Sequence, residues 1–234
     1  MEAESKVILI TGTSKGIGKY LSEYYLEKNC FVYGCSRKPS EIESKNYRHF
    51  CLDVCDEKEV MKLFLNIRNE SKKLDILINN AGIASMNHFL LTPLNTMTDI
   101  MNTNVIGAFL FTREAAKLMR KNSFGRIINF SSVAVQLDLA GEAVYASSKA
   151  ALNSFTKITA KEFAEFNITV NAIALTPMRT DLIKNVPEEK INKLIGKLTV
   201  KRLMEFKDIS NLTDFLIREE SGFITGQIIN FGGI

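Results

Sequence analysis

The stretch Val7-Ile8-Leu9-Ile10-Thr11-Gly12-Thr13-Ser14-Lys15-Gly16-Ile17-Gly18 runs an apolar, β-prone segment directly into a glycine-rich turn. After it, Tyr20-Leu21 and Tyr24-Tyr25-Leu26 recur at helical spacing and supply an apolar face. A strand, a turn and a helix in that order bring the helix N-terminus to the strand's end. Glycines let the backbone turn sharply and approach a pyrophosphate, which the helix N–H groups and dipole would then hold. Gly12, Thr13, Ser14, Lys15, Gly16, Ile17 and Gly18 are therefore candidate contacts to such a ligand. Taken alone, the stretch is also compatible with a tight turn that binds nothing. Its position after the first strand of an alternating pattern favours the nucleotide reading.

That pattern continues to the end of the chain. β-Rich runs occur at Lys6 to Thr11, Phe31 to Ser36, His49 to Leu52, Ile76 to Asn79, Arg126 to Phe130, Thr169 to Ile173 and Gln227 to Asn230, with longer helical patterns between them. Strands separated by helices imply a parallel sheet covered on both faces. Right-handed crossovers then give an α/β, Rossmann-like, doubly wound fold of about seven strands. No repeat, low-complexity tract or linker interrupts the pattern, so residues 1–234 are expected to form one domain.

Composition narrows the function classes. The 234 residues are 46% hydrophobic and 24% charged, enough for a substantial core. The formal charge of +4 comes from 30 basic and 26 acidic residues spread without a basic block, which disfavours nucleic acid or a membrane surface as partner. No apolar stretch approaches a membrane span, and Met-Glu-Ala-Glu-Ser-Lys lacks the apolar core of a signal peptide, so a cytoplasmic location is expected. Cys30, Cys35, Cys51 and Cys55 show no C-x-x-C spacing and read as reduced thiols. His49 and His88 have no partner at ligand spacing, and no metal is expected.

Tyr145 and Lys149 stand at i and i+4, on one face of a helix, thirteen positions after Ser132. A phenol ordinarily loses its proton near pH 10, and a neighbouring ammonium lowers that value, so the pair suggests a proton donor. The same spacing also arises by chance in amphipathic helices. At the end of the second strand, where a fold preferring NAD would place Asp or Glu against the ribose 2′-hydroxyl, this chain has Ser36 and Arg37. Arg37 can pair with a 2′-phosphate and Lys15 can add a second positive charge, which favours NADP. Both cations are otherwise ordinary solvated surface residues.

These features lie in one ordered series: Thr11-Gly12-x-x-x-Gly16-x-Gly18, Asp53-Val54, Asn79-Asn80-Ala81-Gly82, Asn104, Ser132, Tyr145-x-x-x-Lys149, and Phe223-Ile224-Thr225-Gly226-Gln227 with Gly232-Gly233. In that series the chain resembles the short-chain dehydrogenase/reductase family, in its compact form, essentially end to end. The resemblance implies that Tyr145 is the general acid or base, and that Lys149 lowers the phenol's pKa and hydrogen-bonds the nicotinamide ribose. It makes Ser132 the donor to the substrate oxygen. Asn104, which with Phe109 fits the family's Asn-x-x-x-x-Phe, would hold a water that relays protons through Lys149. Asp53 and Val54 would lie at the adenine, Asn80, Ala81 and Gly82 along the adenosine ribose and cofactor backbone, and Thr180 near the carboxamide and phosphates.

One stretch departs from the family. Leu175-Thr176 replaces the usual Pro-Gly before Pro177, which leaves backbone placement near the nicotinamide open. Substrate choice is expected to depend on residues 178–206, with contributions from 133–142 and 84–91. A lid helix is expected to start near Pro187, with Leu182, Ile183, Leu194, Ile195 and Leu198 either lining a pocket or packing on the body. The nearest-looking subgroup is the 3-oxoacyl-carrier-protein reductases. Their entrance arginines correspond here to Ser123 and Phe166, while Lys121, Lys157 and Lys161 are offset by Glu162 and Glu165.

The resemblance thus implies an NADPH-dependent carbonyl reductase acting on a small-molecule carbonyl substrate. That substrate is a 3-oxoacyl thioester carried on acyl carrier protein or coenzyme A, or otherwise a ketosugar, polyol or other small ketone. A non-catalytic NADP-binding scaffold is the alternative class. Apolar positions around 95–119 and 143–166, among them Phe155, Ile158, Phe163 and Phe166, suggest helix pairing in a homodimer or homotetramer; the same residues could instead face the chain's own sheet.

Overall fold

The computed structural model describes residues 5–179 and 186–234. Its strands are β1 (Val7–Thr11), β2 (Phe31–Ser36), β3 (Tyr47–Cys51), β4 (Ile76–Asn79), β5 (Gly125–Ser132), β6 (Ile168–Leu175) and β7 (Ile228–Asn230). Between them lie α1 (Gly16–Glu27), α2 (Glu57–Glu70), α3 (Leu94–Met101), α4 (Gly107–Met119), α5 (Ala134–Leu137), α6 (Ala143–Phe163), α7 (Glu188–Lys197) and α8 (Phe206–Leu216). All seven strands pair in parallel, in the order β3-β2-β1-β4-β5-β6-β7.

Period-two alternation decides which residues meet which helices. Val7 and Leu9 of β1, Tyr33 and Cys35 of β2, Leu77, Ile127 and Val170 face one side, where Val60, Leu63, Phe64 and Ile67 of α2 and Leu110 and Phe111 of α4 close over them. Ile8, Ile10, Val32, Ile76, Ile78, Ile128 and Ile173 face the other side, against Leu21 and Tyr25 of α1 and Ile209 and Leu216 of α8. Both faces of the central strands are buried, and for that reason β1 and β4 read as nearly continuous apolar runs, while β5 and β6 bury Arg126, Asn129 and Asn171 among their apolar residues.

The expected strands are all present. Their bounds shift by a residue or two: β3 starts at Tyr47 instead of His49 and ends at Cys51, and β5 and β6 each run two residues further than the apolar pattern indicated, to Ser132 and Leu175. In β5 the added residues are the polar Ser131 and Ser132, where hydrophobic periodicity alone ends too early. Strand order reverses between β1 and β4, and the crevice beyond their carboxyl ends is where this topology binds ligands.

Candidate active site

The glycine turn stands at that crevice. Gly12 adopts φ 75°, and its N–H donates to the Cys35 carbonyl at 2.7 Å, which ties the turn to β2. Gly18 lies on the inner face of α1, where a Cβ would sit on the Gly12 carbonyl oxygen. The missing side chain is what lets α1 descend onto the turn. No side chain caps α1 at Lys15, and its first turn holds no acidic residue. An uncapped N-terminus of this kind fits a phosphate group. Thr13 contributes differently: it is fully buried, with its hydroxyl near Tyr47 and His49, so it braces the turn from beneath.

The polar pair and its serine come together from two elements. Ser132 ends β5, and its Oγ accepts from the Ala134 N–H at 3.1 Å. Tyr145 and Lys149 sit one turn apart on α6, with the Lys149 Nζ 5.9 Å from the centre of the Tyr145 ring. Burial pushes the Tyr145 phenol up to about 12; the nearby Ser132 hydroxyl pulls the other way but is outweighed, and the Glu142 carboxylate adds to the rise. Lys149 is buried at 6% exposure and donates to the Phe130 carbonyl at 2.8 Å. Desolvation brings its pKa down to about 8. The expectation that the lysine lowers the phenol's pKa is therefore met in arrangement but not in direction: Tyr145 is raised, not lowered, because in the protein alone desolvation dominates both groups.

Asn104 lies in a π-helical turn, Asn102–Ile106, between α3 and α4. Such turns widen a helix by one residue and re-aim a side chain. Its Oδ1 accepts from the Ile83 N–H at 2.9 Å, while its Nδ2 donates to the Ile83 carbonyl and to the Ser148 Oγ, each at 3.0 Å. The amide thus clamps the loop after β4 to α6. A Cβ on Gly82 would lie 3.2 Å from the Asn104 Oδ1 and 3.5 Å from the Lys149 Nζ, so the backbone at Gly82 passes directly over the lysine. Asn80 donates to the carbonyls of Thr11 and Gly12 at 2.7 and 3.2 Å, and the N–H groups of Asn80 and Ala81 reach the Thr11 Oγ1. Beneath them, Asn79, Thr11, Asn104 and Lys149 line a cavity of about 10 Å³, enough for about one water.

Sequence reasoning missed three supports. Ser148 carries Asn104 and donates to the Tyr145 carbonyl at 2.7 Å; Asn79 donates to Thr112 and Asn129 at 3.0 and 2.8 Å; Glu142 opposes ionisation of Tyr145. Ser148 falls inside the Tyr-x-x-x-Lys interval and Asn79 opens the Asn-Asn-Ala-Gly run, so proximity in sequence was the available signal for both.

At the opposite end of the crevice, Ser36 is buried and Arg37 is exposed at the end of β2. Lys15, on the glycine turn, is also exposed. Asp53 is exposed and accepts from the Cys55 N–H at 3.0 Å, whereas Val54 is buried and packs against Gly107. Leu175, in the first of the two positions that replace Pro-Gly, prolongs the sheet: it ends β6 and its carbonyl accepts from the Val133 N–H at 3.1 Å, while Thr176 follows the strand. The expected lid helix begins at Glu188, directly after Pro187. Leu198 packs into the body at 2% exposure, while Leu194 and Ile195 remain half-buried. Thr180, Leu182 and Ile183 lie outside the described residues.

Comparison with known proteins is consistent along the whole chain. A family model described as short chain dehydrogenase matches residues 6–191. The 3-oxoacyl-(acyl-carrier-protein) reductase FabG of Vibrio cholerae is 32% identical over 239 residues, covering 100% of this chain and 98% of that protein. The solved structure of ElxO with NADP bound superposes with a TM-score of 0.88 at 30% identity, covering 97% of this chain and 96% of that one. A short chain dehydrogenase from Leptospira borgpetersenii with bound NAD+ also superposes with a TM-score of 0.88, at 27% identity, covering 98% of this chain and 92% of that one.

Proposed function

The chain belongs to the short chain dehydrogenase family of oxidoreductases, and from that premise we propose that it is an NADPH-dependent carbonyl reductase whose substrate is a 3-oxoacyl thioester. The observation that carries the chemistry is the convergence of Ser132, Tyr145 and Lys149 beside an uncapped helix N-terminus at the sheet's switch point.

The nicotinamide cofactor supplies the hydride. The residues supply everything else. Ser132 Oγ, close enough to the phenol to influence its pKa, would donate to the substrate carbonyl oxygen as negative charge develops there. Tyr145 delivers the proton to that oxygen, or removes it in the reverse direction. Lys149, held by the Phe130 carbonyl, keeps an ammonium close to the phenol, and its depressed pKa lets it exchange protons near neutrality. Asn104 fixes the loop that carries Gly82 over the lysine.

Ser36 and Arg37 at the end of β2, without an acid, support NADPH, as does Lys15 in the turn. ElxO, whose structure contains NADP, and FabG, named for acting on 3-oxoacyl-(acyl-carrier-protein), support the cofactor and the substrate respectively. Lys121, Lys157 and Lys161 are exposed, as are Glu162 and Glu165 beside them, so this surface carries charge of both signs. The outer faces of α4 and α6 enclose a groove of about 320 Å³ lined by Phe109, Ala116, Phe155 and Phe166, which supports pairing of these helices in a homodimer or homotetramer.

The test is a spectrophotometric screen of NADPH and NADH against acyl-thioester, sugar and simple ketone panels. NADPH oxidation should be fastest with a 3-oxoacyl thioester. Turnover confined to sugars or small ketones rejects the thioester, and oxidation of neither cofactor with any compound rejects the enzyme in favour of a scaffold.

A further inference from the structure

A hydrogen-bonded strut lies beneath the glycine turn, outside the catalytic group. Gly34 of β2 makes room for it, because a side chain there would collide with the Tyr47 hydroxyl and the Thr13 Oγ1. In that space the Tyr47 hydroxyl donates to the Thr13 Oγ1 at 3.1 Å. The Nδ1 of His49 stands 3.0 Å from the Tyr47 hydroxyl and 3.3 Å from the Thr13 Oγ1. The other ring nitrogen, Nε2, stands 3.1 Å from the Ser36 Oγ and 3.0 Å from the Lys38 carbonyl.

Donor and acceptor roles follow from this arrangement. The Lys38 carbonyl can only accept, and the Ser36 hydroxyl already donates to it at 2.7 Å. Nε2 must therefore carry the proton, and Nδ1 is the acceptor for a hydroxyl. Burial lowers the His49 pKa, which keeps the ring neutral in this role.

One imidazole thus connects the turn expected to receive the pyrophosphate with both residues that flank Arg37. We propose that His49 is a positioning residue for the cofactor's 2′-phosphate: by fixing Ser36 and Lys38 it sets the backbone from which Arg37 engages that phosphate. The inference rests on the NADPH reading above. The edge strand β3 contributes through Tyr47 and His49, which pair across the β2–β3 ladder with Val32 and Gly34 and so share a face with that glycine.

The experiment measures KM and kcat for NADPH and NADH in the wild type, His49→Leu and His49→Gln, with the melting temperature of each. Glutamine places a donor where Nε2 stands and lacks the Nδ1 acceptor. His49→Leu should raise the KM for NADPH about tenfold, the equivalent of losing one charge-supporting contact, with kcat and the KM for NADH within about twofold. His49→Gln should recover most of the NADPH affinity. If the leucine variant does not fold, His49→Asn, which keeps only the Nδ1 side, takes its place and should show the same loss. A wild type without preference for NADPH overturns the cofactor reading. A wild-type preference that survives His49→Leu, or an equal rise in KM for both cofactors, overturns this inference alone.

Discussion

Tyr145 and Lys149 have pKa values displaced in opposite directions by the same cause, removal from water. Tyr145→Phe keeps the ring and removes the transferable proton. It should therefore bind NADPH normally in a fluorescence titration while losing about a hundredfold or more in kcat. Lys149 offers a test that needs no substrate. Its native value of about 8 lies below the ordinary 10.5, so between those values the unfolded chain holds a proton that the native site has released. Stability from this group must then rise with pH across that window. Denaturant unfolding at pH 8 and 10 should show the wild type gaining on the order of 1–2 kcal/mol relative to Lys149→Met. A difference that falls with pH would reverse the assignment. Glu142→Gln should lower the Tyr145 pKa, moving the alkaline limb of kcat/KM downward, because it withdraws a like charge.

The π-helical turn at Asn102–Ile106 is the element that joins the loop after β4 to α6. Asn104 is buried and makes three hydrogen bonds from there, two to Ile83 and one to Ser148. Ser148→Ala should cost about 1 kcal/mol in denaturant stability. It should also raise the KM for NADPH, since the loop carrying Ala81 and Gly82 loses one anchor. Unchanged stability and KM would mean that Ile83 alone holds the clamp. At the other end of the crevice, the extension of β6 to Leu175 explains how the chain dispenses with Pro-Gly: the Leu175 carbonyl pairs with Val133, so a strand takes the place of a turn. Nothing in the residue pair itself announces a strand, because Leu and Thr are compatible with either.

Among the described residues, no helix is long and apolar enough to cross a membrane, yet apolar surface remains on the outer helices. Ile158 is 53% exposed and Phe109 41% exposed, beside the groove between α4 and α6. Phe163 and Phe166 pack partly against the chain's own core, the alternative that the sequence left open for this helix face. If these helices pair across a two-fold axis, light scattering should give at least twice the 26.3 kDa of one chain. Ile158→Arg should then return the mass to that of a monomer, and a wild type already at 26.3 kDa would remove the dimer.

The sequence by itself determined the sheet and the identity of the chemical groups. Strand and helix periods are local, and the burial of both sheet faces writes them into consecutive residues such as Val7 to Thr11. The Gly12 to Gly18 turn and the Tyr145–Lys149 spacing are local in the same sense. Only tertiary structure decided that Asn104 clamps Ile83, that Phe130 holds Lys149, that Thr13 faces inward and that His49 spans the turn and β2. Each of those joins residues between 13 and 36 positions apart, and no period or propensity encodes which distant polar groups must satisfy one another once water is gone.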